Sequence, residues 1–185
     1  VVIPEGISSH QILELLKTKT WKSTVGADLT YKLEGEAPAE LPEGSLLPGD
    51  YAVSRGDTVA SVIKRMQDAQ EALINELWEK RGADIPVKTK EEALILASIV
   101  EKETGNAEEQ PTVAGLYSNR LRVGMRLQAD ATIVYGLTRG KGPLGRTITR
   151  SEIDTRNDWN TYAMDGLPKT PICNPGKGAI AAAVA

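Results

Sequence analysis

Cysteine and histidine are almost absent from this chain of 185 residues, which contains one of each, Cys173 and His10. An internal disulfide needs two cysteines, so the fold is held together without one. A metal site built from several cysteines is excluded, and a zinc site would lack its usual ligands. A Ser-His-Asp triad would have to use His10, which we instead assign to helix packing or to the surface. We therefore expect no metal and no cofactor.

Aromatic residues and long apolar runs are also scarce. The chain has 3 Trp, 5 Tyr and no Phe, so Leu, Ile, Val and Ala must fill its core. Hydrophobic residues make up 41% and charged residues 25% of the chain, proportions that are typical of a folded globular protein. No run approaches the ~18 apolar residues that a membrane span requires.

The chain carries no excess of positive charge. Its formal net charge is −3, which disfavours a polyanion as the main partner. The local exception is a basic cluster of Arg120, Arg122 and Arg126. No aromatic platform interleaves these arginines, so they are typical of a solvated helix end rather than a nucleic-acid site. We predict no nucleic-acid partner.

The first 57 residues predict a small mixed α/β unit. The segment "VVIPEG" is typical of a short strand and a turn, and a helix capped by Ser8 or Ser9 follows it. Brief strands are predicted at "TYKLEG" and at "YAVS". The stretch 36–57 is rich in proline and glycine, which excludes a long helix there. We therefore place an N-terminal subdomain with a turn-rich connector at 1–57.

Residues 58–185 predict a mainly helical region with long irregular loops, so the fold class is α+β. A helix capped by Asp57 or Thr58 should run to about Arg81. A T-x-x-E capping box starts the next helix at Thr89, and Gly105 is placed to end it. Further helices are predicted from about Pro111 to Gly124, near Arg150–Thr155 and after Pro175. The segment "MRLQADATIVYGL" is predicted as a strand or a short helix.

Glu103, in the segment "LASIVEKETG", occupies an unusual position on its predicted helix. At ~100° per residue it lies at i+7 from Leu96 and i+4 from Ile99, within the apolar stripe. Glu101 projects roughly 160° away, toward solvent. An apolar setting disfavours a charged carboxylate, so Glu103 would stay protonated and could act as a general acid. Spacing leaves open that its side chain escapes to water at the last turn or pairs with an arginine.

Two loop-rich segments concentrate side chains that suit a carbohydrate. Amides bond sugar hydroxyls and N-acetyl groups, and aromatic rings stack on pyranose faces. One segment, "NRLRVGMRLQADAT", holds Asn119, Arg120, Gln128 and Asp130, and the other, "DWNTYAMDGLPKTPICNPG", holds Trp159, Asn160, Tyr162 and Asn174. The alternative is that Asn and Pro are present as ordinary turn formers.

Five segments of the chain resemble the YceG-like family, the endolytic murein transglycosylases. The specific ones are "LASIVEKETG", "VAGLYSNRLRVGMRLQADATIVYG" and "WNTYAMDGLPKTPICNPGKGAIAAAVA", which follow the family's order within residues 93–185. Two earlier segments, "VVIPEG" and "EGSLLPGDYAVSRGDT", are similar to the family's upstream segments. The resemblance thus covers most of the chain.

The resemblance implies an enzyme that cleaves peptidoglycan glycan strands between N-acetylmuramic acid and N-acetylglucosamine without water. The family's catalytic glutamate matches the second glutamate of "EKE", Glu103, the residue that helical spacing also singles out. It would protonate the glycosidic oxygen and then take the proton of the sugar's C6 hydroxyl, which closes a 1,6-anhydro ring. No second carboxylate is needed as nucleophile. Asp130 keeps a muramidase-type hydrolase open as an alternative.

The resemblance also implies which residues line the substrate cleft. Gln128, Asn160 and Tyr162 match positions in the family's motifs, and we expect them to hold the substrate or its developing oxocarbenium charge. The further substrate-binding candidates are Asp130 and, farther from the scissile bond, Asn119, Arg120 and Asn174. The chain departs from the family where "GSLLPGDY" replaces a segment rich in aromatics, which implies an altered flank of the cleft.

Family members carry an N-terminal membrane helix, an upstream LysM-like region and further C-terminal sequence that this chain lacks. The resemblance therefore predicts a C-terminally truncated piece of a single-pass protein of the bacterial inner membrane, with its catalytic domain on the periplasmic side. The expected partners are glycan strands and peptidoglycan synthases. The alternative from another class is an inactive glycan-binding or scaffold module. The retention of Glu103, Gln128 and Asn160 favours an enzyme over such a module.

Overall fold

The protein, seen in a computed structural model that describes residues 1–22 and 30–185, is built mainly from helices. Its helices are α1 Ser9–Thr18, α2 Val59–Glu79, α3 Lys90–Glu103, α4 Gln110–Arg122, α5 Asp130–Thr138, α6 Arg150–Asp154 and α7 Lys177–Ala183. The strands are β1 Val2–Ile3, β2 Trp21–Lys22, β3 Thr30–Tyr31 and β4 Gly49–Asp50. β1 pairs with β4, and β2 pairs with β3, both antiparallel. The α+β class predicted from the sequence is confirmed.

Side-chain caps fix the starts of several helices. Ser8 caps α1 and accepts a hydrogen bond from the backbone N–H of Gln11, whose side chain bonds back to Ser8. Thr58 forms the same reciprocal arrangement with Ser61 at the start of α2. Such caps satisfy N–H groups that have no partner within the helix. Of the alternative caps predicted for these helices, Ser8 and Thr58 are therefore the correct ones.

The start and end of α3 agree closely with the sequence prediction. Thr89 accepts a hydrogen bond of 3.1 Å from the N–H of Glu92. In a capping box the Glu92 carboxylate accepts a hydrogen bond from the N–H of the capping residue, Thr89. Here it accepts instead from the N–H of Lys88, one residue earlier, at 2.9 Å. The helix ends at Glu103, and Thr104 rather than Gly105 is its C-terminal cap. Glu103 is therefore the last helical residue.

Two hydrophobic cores lie side by side and share α2. The first core joins α1, β1 and the first half of α2 through buried side chains that include Ile12, Leu16 and Met66. The second core surrounds α3 and takes Leu73 and Ile74 from the second half of α2. One continuous helix thus links both cores rigidly. The division into 1–57 and 58–185 stays a prediction.

The helix α3 is the centre of the second core, where it packs against α7, α4 and α2 and also touches α5. Its residues from Ile95 to Glu101 are all buried, not only those on one face. Such all-round burial is what a central helix requires. Consequently a single apolar stripe does not describe the buried surface of α3, and positions on several sides of it are covered.

The strand predicted at "YAVS" is wrong by two residues. The strand is Gly49–Asp50, and the chain leaves the sheet at Tyr51, whose N–H donates to the carbonyl of Val1 at 2.7 Å. The strand predicted within "TYKLEG" is present at Thr30–Tyr31. The segment "MRLQADATIVYGL", predicted as a strand or a short helix, contains the helix α5.

Over the described residues, no helix is both long and apolar enough to cross a bilayer.

Candidate active site

Glu103 ends α3, and its side chain is exposed. The prediction that it lies buried in an apolar stripe is therefore wrong. Its position follows from the burial of the middle of α3, from Ile95 to Glu101, after which the helix leaves the core at its final turn. A carboxylate at such a point is held by a rigid helix yet open to a ligand. The last turn of α3 thus presents Glu103 to solvent rather than to the core.

Glu101 is the buried glutamate of "EKE", since it is only 7% exposed. The sequence prediction placed it in solvent. One of its carboxylate oxygens accepts from the N–H of Gly176 at 2.8 Å, and the other accepts from the Gln110 amide at 3.1 Å. Burial raises the pKa of Glu101, and the nearby Glu5 acts in the same direction. Glu101 therefore joins α3 to α4 and to the start of α7, away from the exposed acid.

Tyr117 of α4 lies beside the Glu103 carboxylate. Its side chain is 3% exposed, which fixes the ring in the second core. Burial, followed by the charge and hydrogen bonding of Glu103, raises the pKa of Tyr117 to about 12. The hydroxyl therefore stays protonated and can donate to the carboxylate. Tyr117 was missed by the sequence analysis, because its position on α4 is that of an ordinary core residue.

Tyr162 and Asp130 also belong to the Glu103 site. The Tyr162 hydroxyl donates to Oδ1 of Asp130 at 2.5 Å. This hydrogen bond, together with burial and the charges of Asp130 and Glu103, raises the pKa of Tyr162 to about 12. Arg120 lies near both tyrosines, and its guanidinium donates to the carbonyl of Leu127 at 2.6 Å. The structure thus brings Glu103, Arg120, Asp130 and Tyr162 together.

Gln128 is held in a backbone conformation that few non-glycine residues adopt. Its φ is 54°, and its side chain is exposed two residues before Asp130. The N–H of Gln128 donates to the carbonyl of Thr161 at 3.2 Å, which ties it to the segment that carries Tyr162. A left-handed backbone costs a non-glycine residue of order 1–3 kcal/mol and clusters at functional sites. This conformation is consistent with a side chain held for a ligand.

Asn160 bonds to the protein rather than to the open site. It is 0% exposed. Its amide nitrogen donates to the carbonyls of Glu152, Ile153 and Thr155, and its oxygen accepts from the N–H of Tyr162 at 2.9 Å. A direct contact with substrate does not fit this geometry. The side chain instead fixes the loop that presents Tyr162.

Asn174 is likewise fully buried, and it holds distant segments together. Its oxygen accepts from the N–H of Leu46 at 3.1 Å, and its nitrogen faces the carbonyl of Ile7 at 3.1 Å and the Glu43 carboxylate at 3.2 Å. Glu43 also accepts from the Tyr135 hydroxyl at 2.8 Å. Burial raises the pKa of Glu43, against the effect of these donors. Asn174 and Glu43 thus support the fold around the site.

Two other candidates from the sequence lie outside the Glu103 cluster. Asn119 is exposed, and its oxygen accepts from Arg122 at 2.8 Å. Trp159 is 8% exposed, with the guanidinium of Arg139 stacked 3.9 Å from its ring centroid and Tyr135 packed nearby. The Trp159 ring therefore has no free face for stacking on a sugar. Neither residue is placed against the carboxylate at the end of α3.

No metal centre accompanies the acid in the described ranges 1–22 and 30–185. Nowhere in them do three or more His, Cys, Asp or Glu side chains converge to hold an ion. The cluster consists instead of one exposed carboxylate, two protonated hydroxyls, one arginine and a hydrogen-bonded aspartate. This set can deliver a proton, accept one, and stabilise positive charge through Asp130.

The sequence of the chain matches a known protein family. The model of the YceG-like family matches residues 1–185, the whole chain. The chain belongs to the YceG-like family. Among the YceG-like relatives, the endolytic murein transglycosylase of Streptococcus pneumoniae serotype 2 (strain D39) is 32% identical over 148 residues, which are 77% of this chain and 26% of that protein. The endolytic murein transglycosylase of Bacillus subtilis (strain 168) is 26% identical over 147 residues, which cover 77% of this chain and 38% of that protein.

A solved YceG-like structure has the same fold. The crystal structure of a YceG-like protein from Listeria monocytogenes superposes with a TM-score of 0.69 at 24% identity. The alignment covers 99% of this chain and 65% of that one. The chain spans 26–38% of the length of the curated relatives described above, so it corresponds to one part of proteins that are much longer.

Proposed function

We propose that this chain is the catalytic part of an endolytic peptidoglycan lytic transglycosylase. The observation that carries the proposal is the exposed Glu103 carboxylate, which ends a rigid buried helix and lies near Tyr117 and Tyr162. The names of the curated relatives agree with this activity. The bond cleaved is the one between N-acetylmuramic acid and N-acetylglucosamine.

The reaction needs one group that gives and then regains a proton. Glu103 protonates the glycosidic oxygen as the bond to the anomeric carbon breaks, which leaves positive charge on the muramoyl ring. The C6 hydroxyl of that ring then attacks the anomeric carbon, and Glu103 takes the hydroxyl proton. The products are a 1,6-anhydro-muramoyl end and a free hydroxyl on the departing sugar. No water enters the products, and Glu103 ends in its starting protonation state.

Exposure of Glu103 in the free protein fits a substrate that completes the site. A glycan strand laid over the end of α3 excludes water from the carboxylate, and exclusion of water favours the protonated form. The hydroxyl of Tyr117 is a donor near neutral pH, so it orients the Glu103 carboxylate once that carboxylate has lost its proton, whereas the single proton of the Tyr162 hydroxyl is donated to Asp130. Asp130, held by Tyr162, lies where its negative charge can stabilise the oxocarbenium ion.

The remaining candidates act at different distances from the bond. Gln128 is exposed and rigidly presented, so we assign it to contact with an N-acetyl group or hydroxyl of the strand. Arg120 shapes the site through the carbonyl of Leu127. Asn160 and Asn174 act through the loops they hold. Asn119 stays a peripheral candidate at the edge of α4.

We also propose that the whole protein acts in the bacterial cell envelope. Its substrate is made of peptidoglycan glycan strands, and its role is to terminate or process nascent strands. We also propose an N-terminal membrane helix that anchors the parent protein in the inner membrane, with the catalytic part on the periplasmic side. Peptidoglycan synthases are the proposed protein partners, because nascent strands leave those enzymes.

Mass spectrometry of purified glycan strands after incubation with the protein tests the activity. We expect fragments that end in 1,6-anhydro-muramic acid, and we expect none from the Glu103→Gln variant. Fragments with reducing ends would show that water is the acceptor and would implicate Asp130 as its base. Binding without cleavage would instead identify a glycan-binding module.

A further inference from the structure

A cavity of about 370 Å³ is lined in part by α5 and by Lys102 of α3. Asp130, Val134 and Thr138 are spaced at i, i+4 and i+8, so they share that face of the helix. Asp130 belongs to the Glu103 cluster, whereas Val134 and Thr138 line the cavity. On the other side the cavity is bounded by Lys102, the residue before Glu103. The cavity lining and the Glu103 cluster therefore include residues that neighbour one another on both α3 and α5.

The cavity offers hydrogen-bond donors and one positive charge. Lys102 is the only charged side chain among its lining residues, and it forms no ion pair with any residue in the described ranges. Its ammonium group makes one long hydrogen bond, of 3.3 Å, to the carbonyl of Gly6. Gln11 uses its side-chain oxygen to accept from Ser8, which leaves its NH₂ group available. An anionic group rich in acceptors complements such a lining.

We propose that this cavity binds the acidic peptide stem attached to the muramoyl residue, with Lys102 pairing with a stem carboxylate. This proposal rests on the proposed function, and it names a second substrate element that the same site recognises. The stem is joined to the sugar whose glycosidic bond Glu103 cleaves, so it must leave the sugar close to the carboxylate. An uncharged glycan alone would leave the ammonium group of Lys102 without a partner.

The distance from Asp130 to the far end of the cavity suits a short peptide. Eight residues of helix separate Asp130 from Thr138, which corresponds to about 12 Å at 1.5 Å per residue. An extended peptide spans about 3.3–3.6 Å per residue, so a stem of four residues reaches the same distance. A stem that starts at the sugar beside Asp130 can thus follow α5 to the far end of the cavity.

Gly142 is a position at which a larger side chain can be introduced into the cavity without disturbing the fold. It lines the cavity, and a Cβ added there would meet no atom within 4 Å. Its backbone is not in the left-handed region, so a larger residue fits without strain. By contrast, a Cβ at Gly140 would meet the Ser8 side chain at 2.7 Å. Gly142→Leu is therefore the variant that fills space where the stem would lie.

The first test compares cleavage of peptide-bearing strands with cleavage of strands stripped of peptides by an amidase. The readout is the ratio of the two kcat/KM values. We expect Lys102→Met to lower this ratio about fivefold, the upper range for a partly exposed ion pair, and Gly142→Leu to lower it as well. Lys88→Met and Gly115→Leu are matched controls on exposed positions outside the cavity. An unchanged ratio in both cavity variants would overturn the proposal.

The second test does not require turnover, and it separates this proposal from the activity itself. N-acetylmuramoyl-tetrapeptide is titrated into the isotope-labelled Glu103→Gln protein and followed by NMR. We expect shifts at the amides of Gln11, Thr138 and Gly142, with a Kd that rises about fivefold when Lys102→Met is added. If the active protein cleaves neither kind of strand, the proposed function fails while this titration still decides the peptide site. Absence of shifts at the cavity would refute the site.

Discussion

The Glu101 carboxylate accepts a hydrogen bond of 2.8 Å from the backbone N–H of Gly176, the residue that caps α7. Glu103, two residues later, is exposed at the end of the same helix. A difference of two positions on α3 thus separates a carboxylate that holds the fold from the carboxylate that we assign to chemistry. The two glutamates should respond to substitution in opposite ways.

Replacement of Glu101 by alanine should lower the stability of the fold. The change leaves the N–H of Gly176 and the amide of Gln110 without their acceptor inside the core. Loss of a buried partner of this kind costs about 2–3 kcal/mol of unfolding free energy. Urea denaturation followed by circular dichroism measures it, with the exposed Glu91→Ala as the control, for which we expect less than about 0.5 kcal/mol. Equal effects in the two variants would refute the buried role of Glu101.

Replacement of Glu103 by glutamine should abolish cleavage and leave the fold intact. Glutamine keeps the shape of the side chain but has no proton to give to the glycosidic oxygen. We expect turnover to fall by at least about 100-fold, as for loss of a general acid. Glycan cleavage and the urea midpoint are measured on the same preparation. Turnover near the wild-type value in a folded variant would show that another group supplies the proton.

Stability should fall as the pH rises through the range in which Glu43 ionises. Burial raises the pKa of Glu43 in the folded protein, so the folded state binds its proton more tightly than the unfolded chain does. That contribution is complete below the unfolded pKa of about 4.3 and is lost as the pH rises through the higher folded value. Glu43→Gln removes the titration while keeping the shape of the side chain.

We therefore expect a shallower dependence of the urea midpoint on pH in Glu43→Gln than in the wild type, above about pH 4. Burial also raises the pKa of Glu101, so Glu101 likewise makes the stability fall as the pH rises. This contribution should persist in the Glu43→Gln variant. Glu40→Gln, an exposed position on the same loop, is the control. A pH profile identical to that of the wild type would contradict the buried setting of Glu43.

Tyr162→Phe should reduce kcat more than it changes KM. The variant removes the hydroxyl that holds Asp130 at 2.5 Å, so the aspartate is no longer fixed beside the reacting ring. We expect a fall in kcat of about tenfold, which corresponds to about 1.4 kcal/mol. The control is Tyr31→Phe, whose hydroxyl donates to the carbonyl of Val53 in the N-terminal unit. A change confined to KM would assign Tyr162 to binding alone.

Gln128→Gly should separate stability from activity. Glycine adopts a φ of 54° without strain, so the loss of backbone strain offsets the greater flexibility of the unfolded chain. We expect unfolding free energy to change by less than about 1 kcal/mol, while cleavage declines because the amide is gone. Gln128→Asn, which tolerates the same backbone and keeps a shorter amide, should retain part of the activity. Full activity in the glycine variant would remove Gln128 from the site.

The sequence predicts the helices well because their caps and apolar positions are local. Ser8, Thr58 and Thr89 each satisfy nearby N–H groups, and these signals can be read within four residues. The environments of Glu101 and Glu103 could not be predicted in the same way. Burial around α3 comes from α4, α2 and α7 on different sides, and a helical wheel assumes a single covered face.

The polar site residues show the same limit. An Asn or Gln in a motif near the acid can contact a ligand or hold a loop. The sequence of the motif is the same in both cases. Asn160 and Asn174 hold loops, because backbone carbonyl groups accept hydrogen bonds from their amide groups, from nearby residues for Asn160 and from a distant segment for Asn174. Gln128 differs from them through its exposed position and left-handed backbone, neither of which periodicity reveals. Tyr117 was hidden because its hydroxyl acts from within the core.

The hydrogen bonds of Asn174 also govern when the protein can finish folding. This one amide closes contacts with Ile7 and Leu46, which lie more than 120 positions earlier in the chain. Contacts of such long range form late and slow the search for the native state. On the ribosome, the carbonyl of Ile7 and the N–H of Leu46 wait for residue 174 to be synthesised before this hydrogen-bond partner exists. The nascent chain therefore cannot complete the contacts that join its first residues to the loop before α7 until synthesis has passed that point.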